Sequence, residues 1–282
     1  MENILCTIDN LVIYVYEVTP HSFDYFKGKI SDLEMAGKAP ETRLTIGKGY
    51  SEYHYRLNVG KGGGAVTIGY KHNSKRENEE SYEMRIEFNP VKNKNDVYGH
   101  FWALFKELYL HHTKKIKSFD VAFDVQVNNL NLIAVSLTGR QRGNFKDTVY
   151  YGSPGNTGRL KIYNKKVELE EKQGVTIAQN ELTRIEYSYR FMDPLTIQWL
   201  SKLNTNINNE YSIAVLDSEK MTGEIKAAVL GIQMGYMKMN EFTRTTKTKI
   251  KKALENMGQL DLDHAYANAR DKNIELIGSY FK

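Results

Sequence analysis

A tyrosine with cations on either side is the residue of this chain best suited to covalent chemistry. The alternation of residue types over 159–165 predicts a β-strand with Leu160 and Ile162 on one face and Tyr163 on the other. A phenol has a pKa of about 10 in water, so it is a poor nucleophile at neutral pH unless positive charge or a metal ion favours the phenolate. The pattern predicts either attack by Tyr163 on phosphate or an ordinary amphipathic strand with a solvated basic face. The cations that share the Tyr163 face, and that would also hold a phosphodiester, are Arg159, Lys161 and Lys165.

Carboxylates alternate with apolar residues in three other predicted strands, 84–90, 119–125 and 183–190. If these strands lie side by side with their polar faces aligned, the carboxylates converge near Tyr163. Such a cluster of like charges is tolerated chiefly when a divalent cation or neighbouring arginines neutralise it, and oxygen ligands suit Mg²⁺ or Mn²⁺. The alternatives are a metal site that polarises a scissile phosphate and a solvated face with cross-strand salt bridges. The candidate metal ligands are Glu87, Asp120, Asp124 and Glu186.

Other motifs indicate no competing chemistry. The glycine run at 60–64 precedes an alternating segment at 65–70, which predicts a hairpin tip and not a dinucleotide-binding turn. No histidine–apolar–histidine triplet, G-x-S-x-G, H-E-x-x-H or Walker A motif occurs. Tyr150 and Tyr151 are the nearest rivals of Tyr163 as nucleophile.

The amino-acid composition limits the classes of protein to which this chain could belong. The 282 residues carry a formal net charge of +5 at pH 7, which permits nucleic acid as a partner without requiring it. A single cysteine, Cys6, excludes an internal disulfide and a cysteine-rich zinc site. No apolar run approaches the length of about 18 residues that spans a bilayer, and the acidic start at Glu2 is unlike a signal peptide. We therefore expect a soluble cytoplasmic protein without a membrane partner.

The order of predicted elements indicates an α+β fold. A mostly antiparallel central sheet would carry the active site, with helices packed on it and a helical region at the C-terminal end. We expect a catalytic domain over residues 1–216 and a helical DNA-recognition region over 217–282. The predicted strands are 4–16, a pair over 50–70, 82–90, 118–127, the hairpin that contains 150–166, and 181–191; the predicted helices are 96–112, 167–173, 195–203, 224–239, 245–257 and 261–280.

The densest positive charge lies near the C-terminal end. Between Lys238 and Lys252 there are six basic residues against Glu241 alone. A basic helix is often only solvated, but in a chain that handles DNA it is the natural element to contact phosphate. The residues predicted to contact DNA are Lys165 and Arg184 beside Tyr163, and Arg244, Lys247, Lys249, Lys251 and Lys252 in this helix.

Five short segments, taken in order, carry a family resemblance. They are M-R-I-E-F-N-P (84–90), F-D-V-A-F-D (119–124), Y-Y-G-S (150–153), L-K-I-Y-N-K-K-x-E (160–168) and T-R-I-E-x-S (183–188). Each is weak alone, but as a set with this spacing they resemble the plasmid rolling-circle replication initiators of the Rep_trans type. The resemblance implies that Tyr163 is the nicking nucleophile and that Glu87, Asp120 and Asp124 belong to a divalent-metal site. Glu186 is added from the strand pattern.

The resemblance also implies partners and contains one departure. It implies a homodimer whose second tyrosine serves termination, a C-terminal part that reads plasmid origin DNA, and a host helicase. The family usually has arginine two residues before the first aspartate, where this chain has Ser118. Another cation, Lys117 or Arg85, would have to replace it, or its role is absent.

Three functions remain open at this point. The first is a Mg²⁺- or Mn²⁺-dependent nicking-closing enzyme that forms a 5′-phosphotyrosyl link and leaves a 3′-hydroxyl. The second is a phage initiator or mobilisation relaxase with the same chemistry at another DNA site. The third is a non-catalytic origin-binding protein in which the carboxylates are salt-bridged and Tyr163 stacks on a base.

Overall fold

The structure is a computed structural model that describes residues 4–36, 42–46, 53–58, 65–71, 83–92, 96–174, 176, 178 and 181–281. The chain divides into two compact units. Unit 1 comprises Met1–Cys6, Val121–Tyr189 and Asn204–Ala269, and unit 2 comprises Thr7–Asp120, Arg190–Leu203 and Arg270–Lys282. Within the described ranges, no helix has both the length and the apolar character that crossing a membrane requires.

The elements alternate irregularly between strands and helices, as expected of an α+β chain. In chain order they are β1 (Leu5–Val15), α1 (Pro20–Met35), β2 (Thr42–Ile46), β3 (Tyr53–Asn58), β4 (Ala65–Tyr70), β5 (Met84–Phe88), α2 (Asp96–Tyr109), β6 (Lys114–Val125), β7 (Leu132–Ser136), β8 (Arg142–Phe145), β9 (Thr148–Tyr151), β10 (Leu160–Asn164), α3 (Lys165–Gln173), β11 (Thr183–Leu195), α4 (Ile197–Leu200), α5 (Ile207–Glu210), β12 (Tyr211–Val215), α6 (Gly223–Gln233), α7 (Arg244–Asn256) and α8 (Leu262–Gly278).

Unit 2 contains a mostly antiparallel sheet together with α1, α2, the short α4 and the end of α8. Its strands follow the order β2-β3-β4-β5-β1-β6, and the pairs from β2 through β5 to β1 are antiparallel. Helix α1 begins at Pro20 after a Thr19 N-cap, whose hydroxyl oxygen accepts the Ser22 amide at 3.1 Å. The buried ring of Phe26 on α1 meets the ring of Phe101 on α2 at 6.0 Å, so aromatic packing joins the two helices.

Unit 1 contains the strands that surround Tyr163. Their order is β6-β11-β10-β9-β8, and β11–β10, β10–β9 and β9–β8 are antiparallel pairs. A second, two-stranded sheet pairs β7 with β12 and is covered by α6 and α7. The core that joins these helices to the small sheet consists of buried apolar side chains, including Ile133, Val135, Ala214, Val229, Ile250 and Leu254.

The loop from β9 to β10 is anchored where β10 begins. The Arg140 guanidinium donates to the Thr157 carbonyl at 3.2 Å and pairs with Glu210 at 2.9 Å, while the Tyr211 hydroxyl donates to the Gly158 carbonyl at 2.6 Å. Gly158 has φ +82°, and a Cβ there would lie 2.1 Å from Arg140 Nη2. Only glycine fits under the guanidinium, and these bonds fix the position from which β10 carries Tyr163.

Several boundaries differ from the sequence predictions. The strand predicted over 118–127 begins four residues earlier, since β6 spans Lys114–Val125. The helix predicted over 195–203 is present but shorter: β11 continues to Leu195, and α4 spans only Ile197–Leu200. Pro194 favours extended backbone in the residue before it, which is consistent with the longer strand. The helix predicted over 224–239 ends at Gln233, since Gly235 adopts φ +81°. The glycine run at 60–64 lies outside the described residues, although β3 and β4 on either side pair as predicted.

The two compact units do not follow the boundary predicted after residue 216. Residues 204–269 belong to the same unit as Val121–Tyr189. The reason is that α6 and α7 bury their apolar faces on β7 and β12, including Ile133 of the earlier part of the chain. Whether 217–282 recognises DNA stays a prediction, but its first two helices do not form a separate core.

Candidate active site in unit 1

Tyr163 forms the centre of a buried hydrogen-bonded group on β10 and β11. In this antiparallel pair Lys161 lies opposite Glu186 and Tyr163 lies opposite Arg184, so all four side chains share one face. The Tyr163 hydroxyl donates to Glu186 Oε1 at 2.6 Å. Lys161 Nζ donates to Glu186 Oε2 at 3.0 Å and lies 4.1 Å from the centre of the Tyr163 ring. The predicted alternation of faces is therefore confirmed.

This face is not a solvated one. Tyr163 is 7% exposed and Glu186 is 8% exposed, so the phenol and its acceptor are largely removed from water. One side of Tyr163, together with Lys161, borders a cleft of unit 1. A charged carboxylate in such a position requires compensation, which Lys161 and the phenol hydrogen bond supply.

The pKa of Tyr163 is raised far above its ordinary value, whereas activation by the neighbouring cations would lower it. Burial is the main cause, and the charge of Glu186 and its hydrogen bond add to the effect, while Arg184 acts in the lowering direction. The neighbouring cations are engaged with carboxylates, so they do not generate a phenolate in this arrangement. Attack by Tyr163 on any electrophile would therefore need a base to remove its proton, and the Glu186 carboxylate is already in contact with that proton.

The two cations predicted to contact DNA beside Tyr163 are paired inside unit 1. Arg184 holds Asp124 with two hydrogen bonds, of 2.6 and 2.7 Å. Lys165 is 4% exposed and pairs with Glu168 at 2.5 Å, three residues along α3. The sequence analysis included Glu168 in the 160–168 motif but did not predict its pairing with Lys165, although the i+3 spacing at a helix start was a usable signal. Direct contact of either cation with DNA would require its ion pair to open.

The two rival tyrosines and Arg159 are arranged differently. Arg159 lies over the ring of Tyr150, with 4.7 Å from Cζ to the ring centre. Tyr150 is half-buried and lies opposite Lys161, on the same face as Tyr163, so it is the closer rival nucleophile. Tyr151 is buried and donates to the Ala134 carbonyl at 2.5 Å, and burial raises its pKa to about 12. Tyr151 is therefore a packing residue.

Each of the four carboxylates predicted to bind a divalent cation is engaged in an ion pair. Asp124 and Glu186 of unit 1 are paired as described above. In unit 2, Arg85 pairs with Glu87 at 2.6 Å and Arg190 pairs with Asp120 at 2.8 Å. Burial alone would raise the pKa of Glu87, but Arg85 and a hydrogen bond from Asn10 outweigh it and hold that pKa below its ordinary value. Among the described residues, no three His, Cys, Asp or Glu side chains are grouped so that they could hold a metal ion.

The basic residues of α7 fall on two sides of the helix. Ile250 and Leu254 face the core, with no exposed surface. Arg244, Lys247 and Lys251 line a cleft of about 380 Å³ together with the backbone turn at Thr138 and Gly139. The cations that line a different depression, of about 310 Å³ and beside Glu224, are Lys220, Lys249 and Lys252. The predicted cation cluster is therefore present, but it consists of two separate groups.

Buried tyrosines predict a loss of stability at alkaline pH. Burial raises the pKa of Tyr151 and of Tyr280 to about 12 and also raises those of Tyr163 and Tyr187. The unfolded chain ionises its tyrosines near pH 10, whereas the folded chain keeps these protons, so stability is intact below about pH 10 and falls as pH rises above it. Urea unfolding at a series of pH values should show this fall together with tyrosinate absorbance that appears on unfolding. Constant stability between pH 9 and about pH 11 would contradict it.

The chain was compared with protein families, curated proteins and solved structures. No family model and no curated protein matches it. One solved structure to which it is similar is a rolling circle replication initiator protein from Geobacillus stearothermophilus, with 12% sequence identity over 89% of this chain and 97% of that chain. The TM-score of that likeness is 0.42, which is too low to carry an argument about function.

Proposed function

We propose that this chain is a plasmid replication initiator that nicks and rejoins one DNA strand through Tyr163. The observation that carries the proposal is the hydrogen bond from the Tyr163 hydroxyl to a carboxylate that Lys161 holds in place, on a residue that lines a cleft. A phenol bonded to a base, with a cation beside its ring, is the arrangement that an activated tyrosine nucleophile requires. The resemblance of 84–188 to Rep_trans initiators supports the same residue and adds the substrate, an origin strand.

The proposed nicking step balances with groups of unit 1. Tyr163 Oη attacks the phosphorus, the bond from oxygen to phosphorus forms, and the bond from phosphorus to the 3′ oxygen breaks. Glu186 accepts the phenol proton, and the leaving 3′ oxygen takes up a proton from water. Lys161 faces the negative charge of the phosphoryl oxygens. The products are a 5′-phosphotyrosyl link and a free 3′-hydroxyl, and reversal of the step rejoins a strand without ATP.

A requirement for Mg²⁺ or Mn²⁺ is also proposed, from the resemblance alone. The carboxylates to test are Glu87, Asp120, Asp124 and Glu186. Because each is paired with a cation in the arrangement above, we assign no step of the reaction to a metal. We expect nicking to stop in EDTA and to return when Mg²⁺ or Mn²⁺ is added. Nicking at an unchanged rate in EDTA would show that the cations of the protein neutralise the phosphate by themselves.

Recognition of duplex origin DNA is proposed for α7, on the side that faces the turn at 138–139. That side combines Lys247 and Lys251 with Arg244 around one cleft, which suits a phosphate backbone. Each lysine that contacts phosphate contributes about 0.9 to the slope of log affinity against log salt. The double variant Lys247→Ala/Lys251→Ala should flatten this slope by roughly two units when labelled duplex is titrated at several salt concentrations.

The other two lysines of α7 supply the matched control. The double variant Lys249→Ala/Lys252→Ala removes the same charge from the same helix but from the other cleft. We expect a much smaller change in its salt slope. Equal flattening in both double variants would mean that α7 attracts DNA only through its overall charge.

The partners stay proposals that the resemblance supports. They are a second copy of the chain, whose Tyr163 would end a round of replication, and a host helicase that opens the duplex. Light scattering of the purified chain tests the first. Stimulation of duplex unwinding by a helicase at a nicked origin tests the second.

One experiment tests the proposed function as a whole. Supercoiled plasmid that carries the cognate origin is incubated with the protein and Mg²⁺, and the product is examined for open circles with covalently attached protein. Origin binding without an adduct would favour the non-catalytic binding protein. An adduct that forms at a transfer origin or a phage origin, and not at a plasmid replication origin, would favour the relaxase or phage initiator.

A further inference from the structure

A cleft of about 530 Å³ lies beside Tyr163, entirely within unit 1. Its walls come from the turn around Leu130, the end of the β8–β9 hairpin and the first turn of α3. This volume is in the range of about 300–1,000 Å³ that holds small ligands, so the cleft has room for single nucleotides at the nucleophile and not for a protein domain.

Three apolar side chains line this cleft and are exposed to water. Leu130 is 75% exposed, Phe145 is 67% exposed and Val167 is 37% exposed. They come from three different elements, so they are not one continuous stretch of apolar sequence. Exposed apolar side chains that gather around a concave site next to reactive groups indicate a ligand with apolar surface.

Each of the three side chains is carried by a hydrogen-bonded turn. Phe145 pairs with Thr148 and closes a two-residue hairpin turn in which Lys146 adopts φ +51°. The Leu130 amide donates to Asn128 Oδ1 at 2.9 Å, and the Val167 amide donates to Asn164 Oδ1 at 3.1 Å. These contacts hold the backbone that presents the three side chains, which lowers the cost of ordering that backbone when a ligand binds.

The charges around the cleft favour bases inside it and phosphates at its edge. Lys146 and Lys161 line it, but so do Asp147, Glu168 and Glu171. Lys165 compensates Glu168, whereas the other acids disfavour a run of phosphates along the floor. A nucleobase is uncharged and has an apolar face that stacks on aromatic rings. In a duplex that face is covered by neighbouring base pairs, so the surface suits an unpaired strand.

We propose that Phe145, with Leu130 beside it, forms a stacking platform for unpaired bases next to the phosphate that Tyr163 attacks. Phe145 is a positioning residue, because it would hold the strand and not touch the reacting atoms. The proposal rests on the proposed function for the identity of the substrate. The proposed site binds nucleobases in preference to the sugar–phosphate backbone, and single-stranded DNA in preference to duplex DNA.

The test compares two single strands that differ only in their bases. A labelled oligothymidylate and an abasic strand of the same length and charge are titrated by fluorescence anisotropy against Tyr163→Phe, in which cleavage cannot interfere. Adding Phe145→Ala should weaken oligothymidylate binding roughly tenfold, as expected for the loss of one stacked base, and should leave the abasic strand unaffected. Adding Phe145→Trp instead should restore oligothymidylate binding, because it restores the ring.

One control variant accompanies this test, and the outcomes below decide for or against the platform. Met192→Ala removes another exposed apolar side chain, in unit 2, and should change neither affinity. Equal losses for both strands, or no loss for either, would exclude stacking on Phe145. If Phe145→Ala changes the molecular mass measured by light scattering but leaves both DNA affinities unchanged, the surface is a contact between two copies of the chain. The binding assay uses Tyr163→Phe and contains no cleavage step, so its result does not depend on nicking. A functioning platform in this assay, together with no covalent adduct when the wild-type protein acts on supercoiled origin plasmid, would reject the proposed nicking function and keep the platform.

Discussion

Replacement of Tyr163 by phenylalanine should reduce nicking by on the order of 10³-fold or more and abolish the covalent protein–DNA adduct. The reason is that only the attacking oxygen is removed. The ring keeps its position on β10 and its contact with Lys161, and the Glu186 carboxylate keeps its ion pair with the same lysine. Origin binding measured by anisotropy should stay within a factor of about two, since no phosphate-binding cation is lost.

Tyr150→Phe is the matched control for this experiment. Tyr150 lies on the same face, opposite Lys161, but it is a neighbour of Arg159 and no hydrogen bond joins it to Glu186. We expect this variant to nick at nearly the wild-type rate. Peptide mapping of the adduct gives the decisive result: attachment to Tyr150, with Tyr163→Phe still active, would mean that the assignment of the nucleophile is wrong.

Glu186→Gln should lower the nicking rate by about 10²–10⁴-fold, which is the usual contribution of a positioned general base. Glutamine keeps the shape and can still accept the phenol hydrogen bond, but it cannot take up the proton at neutral pH. The residual rate of the variant should rise more steeply with pH than that of the wild type, because hydroxide must then remove the Tyr163 proton. Single-turnover nicking at several pH values measures both effects.

This experiment also separates the two roles considered for Glu186. If it binds a metal ion, a higher Mg²⁺ concentration should rescue Glu186→Gln, whereas a general base cannot be rescued in that way. Glu171→Gln is the matched control, since Glu171 lines the same cleft without contacting Tyr163. Full rescue by Mg²⁺, with an unchanged pH profile, would return Glu186 to the metal-ligand prediction.

The amino-acid sequence determined which side chains share a face around Tyr163. Side chains alternate along any strand, so the patterns at 160–164 and 183–187 were sufficient to place Tyr163, Lys161, Arg184 and Glu186 together once β10 and β11 were neighbours. The same periodicity predicted β1, β5 and the last two helices to within a few residues, because their apolar residues recur at regular intervals. The α+β class followed from the order of these elements.

Only the tertiary structure decided which of those side chains contact one another and how these contacts change the pKa of Tyr163. The pKa of Tyr163 depends on burial and on the carboxylate that its hydroxyl contacts, and neither can be seen in a strand pattern that shows three cations nearby. The sequence likewise could not show that Arg184 pairs with Asp124, since these residues are 60 positions apart. The platform at Phe145 and Leu130 had no sequence signal, because it depends on a hairpin end and a turn meeting at one cleft. Local periodicity therefore predicted which side chains share the face around Tyr163, whereas long-range packing decided their burial, hydrogen bonds and ion pairs.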